Sequence, residues 1–206
     1  HLGGGTPTSL TEEEFEELMH ALQARFFFPP HAEISIEIDP RTVYGDGGKK
    51  LKKIRSLGFN RVSFGVQDLD PIVQEAVKRR QSEEMTVATF YLAIEEGFAS
   101  INLDLIYGLP HQTPERFAKT AEKIVALQPD RISFFSYAKI PWLKAHQKAI
   151  PDHLLPTERD KFAIYTESRE RFINGGYEAI GMDHFSLLSD PLILAYREKK
   201  LMRNFQ

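Results

Sequence analysis

Polar and apolar positions alternate along three of the five strands that this chain predicts. From Glu33 to Ile38 the apolar side chains are Ile34, Ile36 and Ile38, and the polar ones are Glu33, Ser35 and Glu37. Successive side chains on an extended strand point to opposite faces, so the run has one apolar and one polar face. Arg61 to Val66 repeats the pattern, with Val62, Phe64 and Val66 opposed to Ser63, Gly65 and the following Gln67. Ile101 to Tyr107 does so again, with Leu103 and Leu105 opposed to Asn102 and Asp104. Strands are also predicted at Arg131 to Tyr137 and at Tyr177 to Met182, the last of the chain.

Between these runs the period lengthens to that of a helix. Glu12 to Phe26 places Phe15, Leu18, Met19 and Leu22 on one face, and Thr11 with Glu14 forms a capping box at its start. Further helices are predicted from Lys49 to Leu57, Pro71 to Lys78, Glu83 to Glu96, Thr113 to Leu127 and Thr157 to Asn174. Gly58, Gly97 and Gly175-Gly176 stop three of them, and Pro114 occupies a first helical position. Tyr44 to Gly48 reads as a glycine-rich turn before the second helix, and Pro141 to Pro156 as irregular.

Strands separated by helices make βαβ units and a parallel sheet. A sheet covered by helices on both sides is apolar on both faces. Here one face is small, polar or acidic in strand after strand. A closed eight-stranded barrel fills its interior with branched apolar residues, which these strands do not supply. The predicted fold is therefore α/β: a partial, open β/α barrel with parallel strands, helices outside and a ligand-filled interior, residues 1–206 forming a single such domain.

With the polar faces inward, the C-terminal strand ends converge. They bring together the loop Gly3-Gly4-Gly5-Thr6, Glu37, Gln67, Asp104 and the Ser136-Tyr137-Ala138 segment. Glycines let backbone amides approach a ligand, and a following helix favours a polar or anionic one. Glu37 and Asp104 suit a ribose diol or an ammonium group, and equally an acid/base pair or Mg²⁺ ligands. Arg79 could meet a carboxylate by bidentate contact, although its place suits a solvated helix end. Lys49, Lys50, Lys52 and Lys53 read as a solvated helix face, and Asp183-His184 as a structural pair. His111, His146 and His153 lack metal-ligand spacing, and neither standard nucleotide loop is present.

Composition narrows the classes. Of 206 residues, 42% are hydrophobic and 27% charged, which suits a globular protein. A net charge of −3 argues against nucleic acid or an anionic membrane as partner, and no apolar run is long enough for a helical span. There is no cysteine, hence no disulfide and no thiolate-held metal within the chain.

The set Gly3-Gly4-Gly5-Thr6-Pro7, Glu33 to Pro40, Gly65-Val66-Gln67-Asp68 and Asn102 to Pro110 resembles radical S-adenosylmethionine enzymes. Ser136-Tyr137-Ala138, Gly181 to Phe185 and Arg203 to Gln206 narrow the resemblance to the oxygen-independent coproporphyrinogen III oxidases of haem biosynthesis. It implies a barrel open on one side that binds a [4Fe-4S] cluster and S-adenosylmethionine, in a cytoplasmic monomer served by an electron donor. The reduced cluster would cleave the sulfonium, and the resulting 5′-deoxyadenosyl radical would take a hydrogen from a propionate of coproporphyrinogen III. Loss of CO₂ and an electron leaves a vinyl group, twice per molecule, giving protoporphyrinogen IX. By resemblance, Gly4, Gly5, Thr6, Glu37, Gln67, Arg79, Asp104 and Ala138 contact two S-adenosylmethionine sites, and Phe205 and Gln206 are needed for activity. A related branch of haem chaperones would bind haem or porphyrin without decarboxylation, but Asp68 and Met182-Asp183-His184-Phe185 argue against it. The Cys-x₃-Cys-x₂-Cys cluster loop of that family is absent. It is expected upstream of His1, as a substrate-covering domain is expected beyond Gln206. Both ends read as cut, and the chain alone is expected to be inactive.

Overall fold

The computed structural model describes residues 1–201. Seven α-helices and six strands follow one another as α1 (Glu12–Gln23), β1 (Ser35–Ile38), α2 (Lys49–Ser56), β2 (Arg61–Gln67), α3 (Pro71–Ala76), α4 (Glu83–Glu95), β3 (Ser100–Tyr107), α5 (Pro114–Leu127), β4 (Arg131–Ser136), α6 (Glu158–Asn174), β5 (Tyr177–Gly181), β6 (His184–Leu187) and α7 (Pro191–Arg197) among the described residues. The strands form an unclosed, mostly parallel sheet in the order β1-β2-β3-β4-β6-β5, which bears out the open α/β architecture. Burial alternates along β1 and β2 as the side-chain pattern requires, with Ile36, Ile38, Val62, Phe64 and Val66 buried and the polar positions half-buried.

Contacts divide the chain into two compact units. The first comprises His1–Val66 and Gln81–Leu103. Its core joins Phe15 and Met19 of α1 to Ile36, Leu51, Ile54, Phe59, Phe64 and Phe90, with the Phe15 and Phe59 rings edge to face at 6.4 Å. The capping box of Thr11 and Glu14 is formed. Asn60 ties the approach to β1: its side chain accepts from the Ile34 amide at 2.9 Å and donates to the Ala32 carbonyl at 2.8 Å. On the polar face, Asn102 Nδ2 donates to Ser63 Oγ at 2.8 Å.

The second unit comprises Gln67–Arg80 and Asp104–Gln206. An aromatic cluster fills it: Phe134 of β4 stacks on Phe117 of α5 at 5.1 Å and meets Phe172 of α6 edge to face at 5.5 Å. Phe185 of β6 packs on Phe172 at 5.1 Å.

Several boundaries differ from the pattern-based ones. α1 stops at Gln23, because Phe26 and Phe27 are exposed and give no buried face to continue it. β1 begins at Ser35, and β4 ends at Ser136. α3 ends at Ala76, with Lys78 in the left-handed region at φ 56. The largest correction is at the end of the chain. β5 is not the last strand; it turns back through Met182 and Asp183 into β6, which pairs antiparallel with both β5 and β4. Asp190 then caps α7, its carboxylate accepting from the Leu192 amide, with Pro191 at the first position. Within the Tyr44–Gly48 turn the Asp46 carboxylate accepts from the Gly48 amide and from the Lys50 amide in the first turn of α2.

Candidate functional site

In the first unit the glycine loop leaves a short pairing with β1. Leu2 bridges Ile36 in parallel, its amide donating to the Ser35 carbonyl and its carbonyl accepting from the Glu37 amide, each at 2.9 Å. This sets Gly3 against the Glu37 side chain. A Cβ on Gly3 would stand 2.6 Å from Glu37 Oε1, so glycine is what lets the Glu37 carboxylate lie against the loop. Gly4 follows with φ 83 and donates its amide to Glu37 Oε2 at 3.2 Å. His1 lies 3.5 Å from the same carboxylate and bonds Ser35 Oγ at 2.8 Å. Gly4, Gly5 and Thr6 are exposed and border a surface depression of about 370 Å³.

The end of the loop is anchored by a residue that the lysine pattern hid. Lys50, expected to be solvated, donates to the Thr8 carbonyl at 2.9 Å, and Thr42 Oγ1 donates to the buried Thr8 hydroxyl at 2.6 Å. Lys53 is likewise engaged, in an ion pair with Glu16.

In the second unit a cavity of about 560 Å³ is lined by Gln67, Lys78, Arg79, Ile106, Leu109 and Ala138, among others. Gln67 ends β2 with φ 69, a conformation that non-glycine residues adopt rarely and that is retained where the surroundings enforce it. Arg79, which the sequence suits to a solvated helix end, is half-buried in the cavity wall, its amide donating to the Gln74 carbonyl at 2.8 Å. Ser136 and Tyr137 join Ala138 in the lining, and burial pushes the Tyr137 phenol above its ordinary value. Gln67, Arg79 and Ala138 are thus brought together, whereas Asp104 in β3 is not among the lining residues. Phe205 and Gln206 lie outside the described residues.

Sequence reasoning used Asp68 only as a motif letter, and the structure gives it a larger part. The residue is fully buried. Thr120 Oγ1 donates to Asp68 Oδ1 at 2.6 Å, the Asp70 amide to Oδ1 at 2.9 Å, and Gln112 Nε2 to Oδ2 at 2.6 Å. Burial raises its carboxyl above the ordinary carboxylate range, and these donors offset that only in part. The folded chain then keeps the proton to higher pH than the unfolded chain does. The contribution to stability is complete below the ordinary carboxylate range and is lost as pH rises through the raised value. Unfolding free energy from denaturant titrations is expected to fall with rising pH across that window, and Asp68→Asn to flatten the dependence. Equal slopes for both chains would contradict it.

A profile described as the radical SAM superfamily matches residues 1–124. The chain belongs to the radical SAM superfamily. Among radical SAM relatives, the oxygen-independent coproporphyrinogen III oxidase of Salmonella typhimurium is 48% identical over all of this chain and 44% of its own length. That of Bradyrhizobium diazoefficiens is 44% identical over all of this chain and 45% of its own. The solved structure of coproporphyrinogen III oxidase (HemN) from Escherichia coli, described as a radical SAM enzyme, superposes with a TM-score of 0.93 at 47% identity, covering 98% of this chain and 46% of that one. This radical SAM chain therefore spans about half the length of the relatives it matches. Among the described residues no cluster of His, Asp or Glu could hold a metal ion, and the chain has no cysteine, so its own residues do not fit an iron–sulfur cluster. Among those residues no helix is long and apolar enough to cross a membrane.

Proposed function

We propose that this chain is the S-adenosylmethionine-binding part of an oxygen-independent coproporphyrinogen III oxidase, which converts coproporphyrinogen III to protoporphyrinogen IX with release of two CO₂. The observation that carries this reading is identity of 48% over the whole chain to an oxidase of that name. The cavity supports it chemically. Its volume of about 560 Å³ suits a small ligand, and Val77, Ile106 and Leu109 offer apolar walls for a purine and a sugar. Arg79 and Gln67 supply a guanidinium and an amide for a carboxylate and an ammonium group. Glu37, held by the Gly4 amide, presents an acceptor to a second molecule of the same kind in the first unit. The residue set is therefore Gly4, Gly5, Thr6, Glu37, Gln67, Arg79, Asp104 and Ala138, with Phe205 and Gln206 serving the reaction. S-adenosylmethionine held by these residues would supply the radical chemistry that oxidative loss of a propionate carboxyl needs. A cluster would need thiolates that this chain, which has no cysteine, does not supply. We further propose one working domain over residues 1–206, acting in a cytoplasmic monomer that needs an electron donor and neither nucleic acid nor membrane.

The test is anaerobic turnover by the protein read from its gene's own start codon, with S-adenosylmethionine, a reductant and coproporphyrinogen III. Two CO₂ and a divinyl product per substrate are expected. A gene without a Cys-x₃-Cys-x₂-Cys segment in frame before His1, or a protein that binds porphyrin and releases no CO₂, would overturn the reading.

A further inference from the structure

The cavity wall of the second unit is assembled from separate pieces of chain, and one buried residue, Asp68, joins them, by its carbonyl on one side and its carboxylate on the other. Gln67 is its neighbour in sequence. The Asp68 carbonyl accepts from Gln74 Nε2 at 2.6 Å, and the Gln74 carbonyl in turn receives the Arg79 amide, which fixes the lining run Ala76 to Arg79. On the other side the Asp68 carboxylate receives Gln112 Nε2. That nitrogen also donates to the Ile106 carbonyl at 2.9 Å, and Gln112 Oε1 accepts from the Leu109 amide at 2.9 Å. Ile106 and Leu109 both line the cavity. Thr120 of α5 completes the junction, accepting from the Leu69 amide while it donates to Asp68.

We propose that Asp68 is a positioning residue: through Gln74 and Gln112 it holds Gln67, the Ala76–Arg79 run and the Ile106–Leu109 loop in the one arrangement that binds ligand. Asp68 is fully buried and is not among the lining residues, so it acts through them. An amide in place of the carboxylate keeps the volume but opposes an N–H to the Gln112 N–H, leaving a buried donor without an acceptor. The strained Gln67 backbone then loses the junction that enforces it.

The inference rests on the reading of the cavity as an S-adenosylmethionine site, and the experiment separates the two. The full chain, its Asp68→Asn and Gln112→Met variants, and Ile124→Val as a control are compared. Ile124 is buried in α5 and does not line the cavity. Calorimetric titration with S-adenosylmethionine is read beside the thermal midpoint and amide hydrogen exchange. Asp68→Asn and Gln112→Met are expected to weaken binding about tenfold or more. They should also speed exchange at the Leu109 amide, which Gln112 holds, by a similar factor, while Ile124→Val does neither. Wild-type affinity in both variants, or equal losses in the control at a matched midpoint, would overturn the proposal. A wild-type chain that binds no S-adenosylmethionine would retire the site reading, and unchanged exchange at Leu109 would still refute the positioning role.

Discussion

Gly3→Ala is expected to weaken S-adenosylmethionine binding at the glycine loop by about tenfold while leaving the thermal midpoint almost unchanged. The new methyl group would stand 2.6 Å from Glu37 Oε1 and 2.6 Å from His1 Nε2, closer than carbon and oxygen or nitrogen can approach. Both obstacles are the ends of flexible, part-exposed side chains, so the backbone need not move; Glu37 and His1 swing aside. What is lost is the Glu37 acceptor on the Gly4 amide. That exposed bond adds little to the fold, but the displaced carboxylate no longer meets the ligand. A ligand hydrogen bond to a charged group is worth about 1.5–3 kcal/mol, which sets the tenfold scale. Glu37→Ala should give a similar loss, and the double variant no more than either alone, because both remove the same arrangement. Additive losses, or a collapse of the midpoint in Gly3→Ala, would show that the methyl group acts on the fold instead.

The parts of this fold that could be read in advance are those in which one face of an element does one job. β1, β2 and β3 alternate because the same Ile, Val, Leu and Phe positions that make the pattern are the ones buried. Thr11, Ser82, Thr113 and Thr157 mark helix starts because each side chain caps its own first turn, a contact within three residues. The misses needed partners far along the chain or an unusual backbone. Met182 and Asp183 both take positive φ, 50 and 62, as a tight hairpin turn demands, yet neither is the glycine or asparagine that announces one. So β6 went unseen, although Asp190-Pro191 carried a legible start for α7. Lys50 sits in a run of lysines, and only the distant Thr8 carbonyl distinguishes it. Arg79 and Asp68 belong to the same case. Their surroundings come from α3, α5 and the loop after β3, and no local pattern places an arginine on a cavity wall.

Phe134→Ala is expected to cost about 3–5 kcal/mol, the range for removing a buried aromatic ring, and to lower the midpoint by roughly 10 °C. Phe134 is fully buried at the centre of the second unit, between Tyr107 at 4.7 Å, Phe117 at 5.1 Å, Phe172 at 5.5 Å and Tyr165 at 6.0 Å. These neighbours come from β3, α5 and α6, elements that cannot close together over the void without shifting β4. β4 leads directly into Ser136, Tyr137 and Ala138 of the cavity wall, so the ligand affinity of that cavity should fall with the stability. The adjacent Phe135 supplies the internal comparison. It faces the other side of the strand, is 40% exposed and meets His184 edge to face at 5.5 Å. Phe135→Ala should therefore stay within about 1 kcal/mol of the parent. Denaturant unfolding of the two variants side by side decides the matter: comparable losses would mean that β4 is not packed in the orientation described, and that the cavity wall it carries is misplaced with it.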